Sequence, residues 1–197
     1  MIGYLNGKII DKKPTKILLD VNGVGYIINI SLNTFDKLPD EGAQVSVFTY
    51  LSVREDAMDL YGFILPEEKE MFLLLIGVNG IGAKLAQNIL SGINTSELKE
   101  SLKTGNLARL TAVPGVGRKT AERMIVELRD KVESLAGDTV TSFQGAVSNV
   151  KTDSLSALSS LGYNVKVAEK AVNQILSANP SVSIEDLIRL SLGILNK

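Results

Sequence analysis

Shifting the 197-residue sequence by 35 positions lays Leu75, Val78, Gly80, Gly82, Lys84 and Ala86 onto Leu110, Val113, Gly115, Gly117, Lys119 and Ala121. Both copies read V-x-G-x-G-x-K, and apolar residues recur at helical spacing on either side. Phe72, Leu75 and Ile76 precede the first glycine pair and Leu85, Ile89 and Leu90 follow it; Leu107 and Leu110 precede the second, and Met124, Ile125 and Leu128 follow. A chain that repeats helix, glycine pair, helix is committed to an all-α middle region, so the stretches before and after it are read separately.

Before Pro66 the period is that of strands. MIGYLNGKII, KILLDV, VGYIINI, QVSVFTYLSV and AMDLYGF are rich in Ile, Val, Leu and Tyr, with an Asn22-Gly23 turn between the second and third. Ser31 is placed to cap a turn or two of helix in SLNTFDKLP, with Pro39 just past its end. Five short strands with that insertion predict an OB-like β-barrel over residues 1–63. The tandem helical region takes residues 64–135. Residues 136–152, AGDTVTSFQGAVSNVKT, are low in charge and rich in Ser, Thr, Gly and Val, the composition of a flexible linker. Helical segments at 153–161, 165–177 and 183–195, broken by Gly162-Tyr163 and Asn179-Pro180, predict a three-helix module over 153–197. The expected fold class is α+β and multidomain.

Composition removes much chemistry. With no cysteine and no histidine there is no thiolate nucleophile, no disulfide, no Cys-ligated zinc and no imidazole base. No catalytic residue, metal or cofactor is expected. No apolar run approaches a bilayer span and the N-terminus lacks a signal pattern, so a cytoplasmic protein without membrane contact is expected. The net charge of −1 argues against uniform coating of nucleic acid, so any polyanion site is local.

The repeat locates that site. A glycine pair between helices lets the backbone take positive φ and keeps Cβ atoms away from the peptide N–H groups. The first-turn amides and dipole of the following helix then favour an anion, most often phosphate. Lys84 in one copy and Arg118 with Lys119 in the other sit in that first turn, where an unpaired cation is disfavoured by about 0.3 to 1 kcal/mol and a bound anion reverses the penalty. Between Gly80 and Arg123, seven cations (Lys84, Lys99, Lys103, Arg109, Arg118, Lys119 and Arg123) face three carboxylates (Glu97, Glu100 and Glu122), a local +4. Ile81 and Val116, between the glycines, are expected to plug each hairpin into the core. A single copy would read better as a tight helix connector with a capping glycine than as a phosphate site; two copies with the same lysine reverse that preference and favour phosphate. Neither copy has the third glycine of a dinucleotide fingerprint or the spacing of a P-loop, so no nucleotide hydrolysis is expected.

VNGIGAKLAQNIL with VPGVGRKTAERMIVELRDK resembles the tandem helix-hairpin-helix motifs of the RuvA family of Holliday-junction branch-migration proteins. NGVGYIINI and VREDAMDLYGF resemble that family's N-terminal domain. The resemblance runs through the linker to the C-terminal LGY turn, which would make the last module UBA-like. A departure is Ala83, where the family often has proline. The resemblance implies a non-catalytic, sequence-independent binder of four-way junction DNA that acts in recombination and repair. It implies a homotetramer that can pair into an octamer on DNA, a hexameric AAA+ motor of the RuvB type as partner, and a junction resolvase as a further one. Gly80, Gly82, Lys84, Gly115, Gly117, Arg118, Lys119 and Arg123 would contact phosphate.

Two features remain double-edged. Glu55 and Asp56, in the Arg54-Glu55-Asp56-Ala57 run, read from composition as a solvated hairpin tip; the resemblance makes them an acidic pin that repels phosphate over a Debye length of about 8 Å. A rival takes Glu55, Asp56 and Asp59 as Mg²⁺ ligands of a structure-specific nuclease. In the C-terminal module, Leu155, Leu158, Leu161, Leu187 and Leu190 lie on apolar faces; most such residues form the core of so small a bundle, and the resemblance gives the module the task of docking to the motor.

Overall fold

The computed structural model describes residues 1–137, 150–179 and 182–195. Strands β1 (Tyr4–Lys13), β2 (Lys16–Val21), β3 (Val24–Ile30), β4 (Gln44–Val53) and β5 (Met58–Phe63) close into a barrel in the order β1-β2-β3-β5-β4. All pairings are antiparallel except β3 with β5. Alternate residues of β1 face inward, so Leu5 and Ile9 join Ile17, Leu19, Ile28, Ile30 and Val47 in the barrel core. Asn22 and Gly23, both at positive φ (53° and 90°), make the tight turn that the strand twist favours, and Asp20 Oδ1 accepts the Gly23 amide at 2.7 Å.

Helix α1 (Leu32–Lys37) fills the place expected of it between β3 and β4, with the Ser31 hydroxyl accepting from the Thr34 amide at 2.9 Å. It then does more than cap the barrel. Glu68, buried at 2% exposure, accepts hydrogen bonds from the hydroxyls of Ser31 and, at 2.9 Å, Thr34. Burying a carboxylate is tolerable only with such partners, and they fasten α1 to α2 (Pro66–Ile76).

The middle region is helical throughout: α2, α3 (Ala83–Gly92), α4 (Thr95–Thr104), α5 (Leu107–Thr111) and α6 (Arg118–Gly137). Phe72, Leu75, Ile89, Leu90, Leu110, Met124 and Leu128 are buried as their spacing predicts, while Ile76, Leu85, Leu107 and Ile125 are partly covered. Tyr61 and Phe63 of β5 lie in this same cluster, with ring centroids 5.3 and 5.0 Å from that of Phe72. Across the seam Gln87 donates to the Ile30 carbonyl, Asn33 to the Leu90 carbonyl, and the Leu32 amide to Ser91 Oγ at 3.1 Å. Barrel and helices therefore form one compact unit, although period and composition change sharply at Pro66.

The second unit holds α7 (Val150–Ser160), α8 (Val165–Ala178) and α9 (Ile184–Leu195) around Leu158, Ala168, Val172, Ile175, Val182 and Leu187. The stretch 136–152 is narrower than its composition suggested. Helix α6 continues to Gly137 because Ser134, Leu135 and Ala136 contain no helix breaker, and α7 begins at Val150, which packs on the module's core. The rest of that stretch, 138–149, lies outside the described residues.

Candidate nucleic-acid interface

The sequence repeat is also a repeat of backbone geometry. In the first hairpin the Ile81 amide donates to the Val78 carbonyl at 3.0 Å, Gly80 stands at φ 93°, and the Ala86 amide donates to the Gly82 carbonyl at 2.9 Å. In the second, Val116 donates to Val113 at 3.0 Å, Gly115 stands at φ 91°, and Ala121 donates to Gly117 at 2.9 Å. Ile81 and Val116 are buried at 4% and 5% exposure, plugging the hairpins as expected.

The two glycines of a pair have different tasks. Gly80 and Gly115 occupy left-handed backbone that a side chain would strain. Gly82 caps α3 at φ −87°, an ordinary conformation, and a Cβ there or at Gly117 would meet nothing within 4 Å. What glycine supplies at these second positions is a bare approach to the helix start. No side chain caps α3, so its first-turn amides are left for solvent or a ligand.

Lys84, Arg118 and Lys119 are exposed beside these helix starts. Arg118 Nε also donates to Glu122 Oε1 at 2.9 Å, an exposed pair of small energetic weight. Two other cations are engaged inside the fold. Arg109 forks onto Glu97 at 2.6 and 3.1 Å and reaches the Gly92 carbonyl at 3.0 Å; its hydrogen bonds hold the Glu97 carboxyl below its ordinary range. Arg123, read from sequence as a phosphate contact, donates from Nη1 to the Asn79 carbonyl at 2.6 Å and so braces the first hairpin from the second. Nothing in the sequence marks Asn79 as its partner, because the contact depends on how α6 packs against α2.

Comparison with known proteins gives the same architecture a lineage. The family description "RuvA N terminal domain" matches residues 1–62, "SAM-like Helix-hairpin-helix tandem" residues 72–130, and "RuvA, C-terminal domain" residues 149–196. The chain is 49% identical to the Holliday junction branch migration complex subunit RuvA of Chloroherpeton thalassium over 98% of both chains. It is 46% identical to that of Citrifermentans bemidjiense over the whole of both, and 44% identical to that of Legionella pneumophila strain Paris over 100% of this chain and 99% of the other. This chain belongs to the RuvA family.

In the part matched by the RuvA N-terminal domain, the Arg54 amide donates to the Ala57 carbonyl at 2.8 Å and closes a tight β4–β5 tip, with Glu55 and Asp56 fully outside it. Asp59 lies beyond this tip, on β5. It pairs with Arg54 at 2.7 Å, and among the described residues no three acidic side chains are gathered as metal ligands. The Mg²⁺ reading of Glu55, Asp56 and Asp59 thus loses its third member.

In the RuvA C-terminal module, the leucines singled out from sequence divide. Leu158 and Leu187 are wholly buried, so they hold the module together and cannot meet a partner without opening it, while Leu155 packs on that core and stays partly exposed. Leu161 and Leu190 are exposed at 61% and 49%. Val165, which the sequence places on the same apolar faces, and Val167, which it does not single out, are both half exposed at the start of α8; only three-dimensional packing separates the outward apolar residues from the core. Among the described residues no helix is long and apolar enough to cross a membrane.

Proposed function

We propose that this chain grips four-way DNA junctions through their phosphates, without reading sequence, and joins them to an ATP-driven branch-migration motor. The observation that carries the reading is the pair of hairpins with one backbone geometry, each presenting a bare glycine, a helix start and an exposed lysine. Two such elements in one rigid unit suit two points along one DNA backbone, and contacts of this kind position DNA without specifying bases. Gly80, Gly82, Gly115 and Gly117 supply the amide approach; Lys84, Arg118 and Lys119 supply the charge.

Junction geometry suggests the assembly. Four arms call for four copies around a closed symmetry axis, with Glu55 and Asp56 of each copy meeting near the crossover as a pin; a second tetramer on the opposite face would make an octamer. The relatives' name places them in a branch migration complex. With no P-loop spacing in this chain, the energy source is a separate motor, a hexameric AAA+ ATPase, docked through Leu161, Leu190 and their exposed neighbours. A junction resolvase would use the free face of a tetramer. The protein would work in the cytoplasm, where chromosomal DNA is exposed in a bacterium.

The test is a salt series of binding to a labelled four-way junction and to linear duplex of the same sequence, with Mg²⁺ present and the mass of the complex measured. Tighter junction binding, a steep salt slope, a mass of four or eight chains and intact DNA are expected. Equal affinity for both DNAs, or cleavage products, would overturn the reading.

A further inference from the structure

The barrel meets the helices along two seams of different chemistry. One is apolar. The barrel side chains that enter the helical core, Phe48, Tyr50, Tyr61 and Phe63, belong to β4 and β5, and the rings of the last three stand 5.4, 5.3 and 5.0 Å from that of Phe72 on α2. Apolar burial attracts without fixing direction. This seam holds barrel and helices together and leaves their orientation to other contacts.

The second seam joins α3 to β3 and α1, and it is polar. A groove lined by Lys16, Arg54, Lys84, Gln87 and Ser91 lies there, so hydrogen bonds and not an apolar seal set the spacing. Gln87 Nε2 donates to the carbonyl of Ile30, the last residue of β3. The Leu32 amide donates to Ser91 Oγ at 3.1 Å, and that hydroxyl donates to the Gln87 carbonyl at 2.8 Å. Asn33 Nδ2 donates to the Leu90 carbonyl and, at 3.3 Å, to that of Ile93. Such bonds tolerate only narrow ranges of distance and angle, so they fix where α3 lies.

Helix α3 is held asymmetrically as a result. The last carbonyls of a helix lack intrahelical partners, and α3 has no basic residue in its last turn to serve them; Asn33 of α1 reaches them instead. The start of α3 has no side-chain cap and carries Gly82 and Lys84. The middle and end are therefore gripped, and the start is free for phosphate. At 1.5 Å per residue this helix is about 15 Å long, so a tilt of about 10° at the gripped end moves its start by about 3 Å, enough to break a hydrogen bond there.

We infer that Gln87 and Asn33 are positioning residues for junction discrimination: by fixing α3 on the barrel they set the first hairpin at a constant distance from Glu55 and Asp56. The inference rests on the junction-binding reading above. Linear duplex needs only the hairpins, which Arg123 ties to each other without the barrel. A four-way junction must fit hairpins and tip together. Loosening the polar seam therefore lowers the preference for junctions and leaves duplex binding as it was.

The experiment uses the full chain with Gln87→Met and Asn33→Leu, singly and together. Both positions are partly buried, and each change removes the donor while keeping neutrality and approximate size. The junction-to-duplex affinity ratio at 0.1 M salt is expected to fall about threefold in each single variant and about tenfold in the double, with duplex affinity and both salt slopes unchanged because no phosphate contact is removed. As the chain has no cysteine, spin labels on Val24→Cys and Asn88→Cys, exposed positions on the barrel and on α3, report the spacing itself, and its distribution should broaden in the same variants. If the double variant does not fold, the single ones carry the test. An unchanged ratio in folded variants would overturn the role. So would an equal loss on both DNAs, or a lowered ratio without broadening, since either would make these side chains stabilising contacts only. A wild-type chain with no junction preference would overturn the junction reading and this role together, and that comparison is made before any variant is tested.

Discussion

The Arg123 guanidinium donates to the Asn79 carbonyl at 2.6 Å, across 44 residues of sequence and from the helix of one glycine hairpin to the turn of the other. The two hairpins are thus held as one object. A brace and a phosphate contact predict different losses. Arg123→Gln is expected to reduce stability by about 0.5 to 1.5 kcal/mol, the worth of one hydrogen bond, and to weaken junction binding without altering its salt slope. Lys119→Gln should lower the slope by about one unit. Measuring both slopes decides, and a slope drop in Arg123→Gln equal to that of Lys119→Gln would return Arg123 to the phosphate contacts.

The glycines of each pair should separate in the same way. Gly80→Ala and Gly115→Ala force a side chain into left-handed backbone and are expected to cost about 1 to 2 kcal/mol of stability; at Gly115 the new Cβ would also stand 3.0 Å from Leu85 Cδ1. Gly82→Ala and Gly117→Ala meet open space, so their melting temperatures should stay near wild type while junction affinity falls. Thermal denaturation with a binding titration checks this. Retained affinity in a folded Gly117→Ala would show that nothing approaches that bare position.

How far these features could be read from the sequence depended on whether they are local. The strands, the Ser31 cap, the Asn22-Gly23 turn and both hairpins are written in neighbouring residues, and each was legible. Buried Glu68 was not, since its partners Ser31 and Thr34 lie 37 and 34 residues away. Arg123 was legible as a cation, but its Asn79 partner, 44 residues away, was not, for the same reason. Leu158 and Leu161 look alike in sequence, but one faces the module's core and the other solvent. The polar groove lined by Lys16, Arg54 and Lys84 had no local signature, because it exists only where the barrel and α3 meet.

Ala83 is the first residue of α3, and Gly82 before it is extended at φ −87° and ψ 171°. That is the conformation a residue preceding proline prefers, and proline is favoured at a helix's first position, where its missing N–H has no intrahelical acceptor. Ala83→Pro is expected to raise stability by about 0.4 to 1 kcal/mol through the unfolded chain and to leave junction binding intact. A folded Ala83→Pro with weakened binding would show that the Ala83 amide itself serves a phosphate.

The acidic tip offers the sharpest test, because its two readings differ in sign. Glu55 and Asp56 stand in a tight turn with their side chains in solvent. As a simple solvated turn, their replacement by Gln and Asn changes DNA binding little. As a pin beside phosphate, they repel duplex at short range, so Glu55→Gln with Asp56→Asn strengthens linear-duplex binding and lowers the preference for the junction. The gain should be largest at low salt and fade as the Debye length contracts from about 10 Å at 0.1 M to about 3 Å near 1 M. The pin is the expected outcome, since the same unit carries the hairpins that would draw DNA across this surface. Duplex and junction affinities of wild type and double mutant across a salt series decide it, and a junction-to-duplex ratio unchanged at low salt would leave Glu55 and Asp56 as a solvated turn.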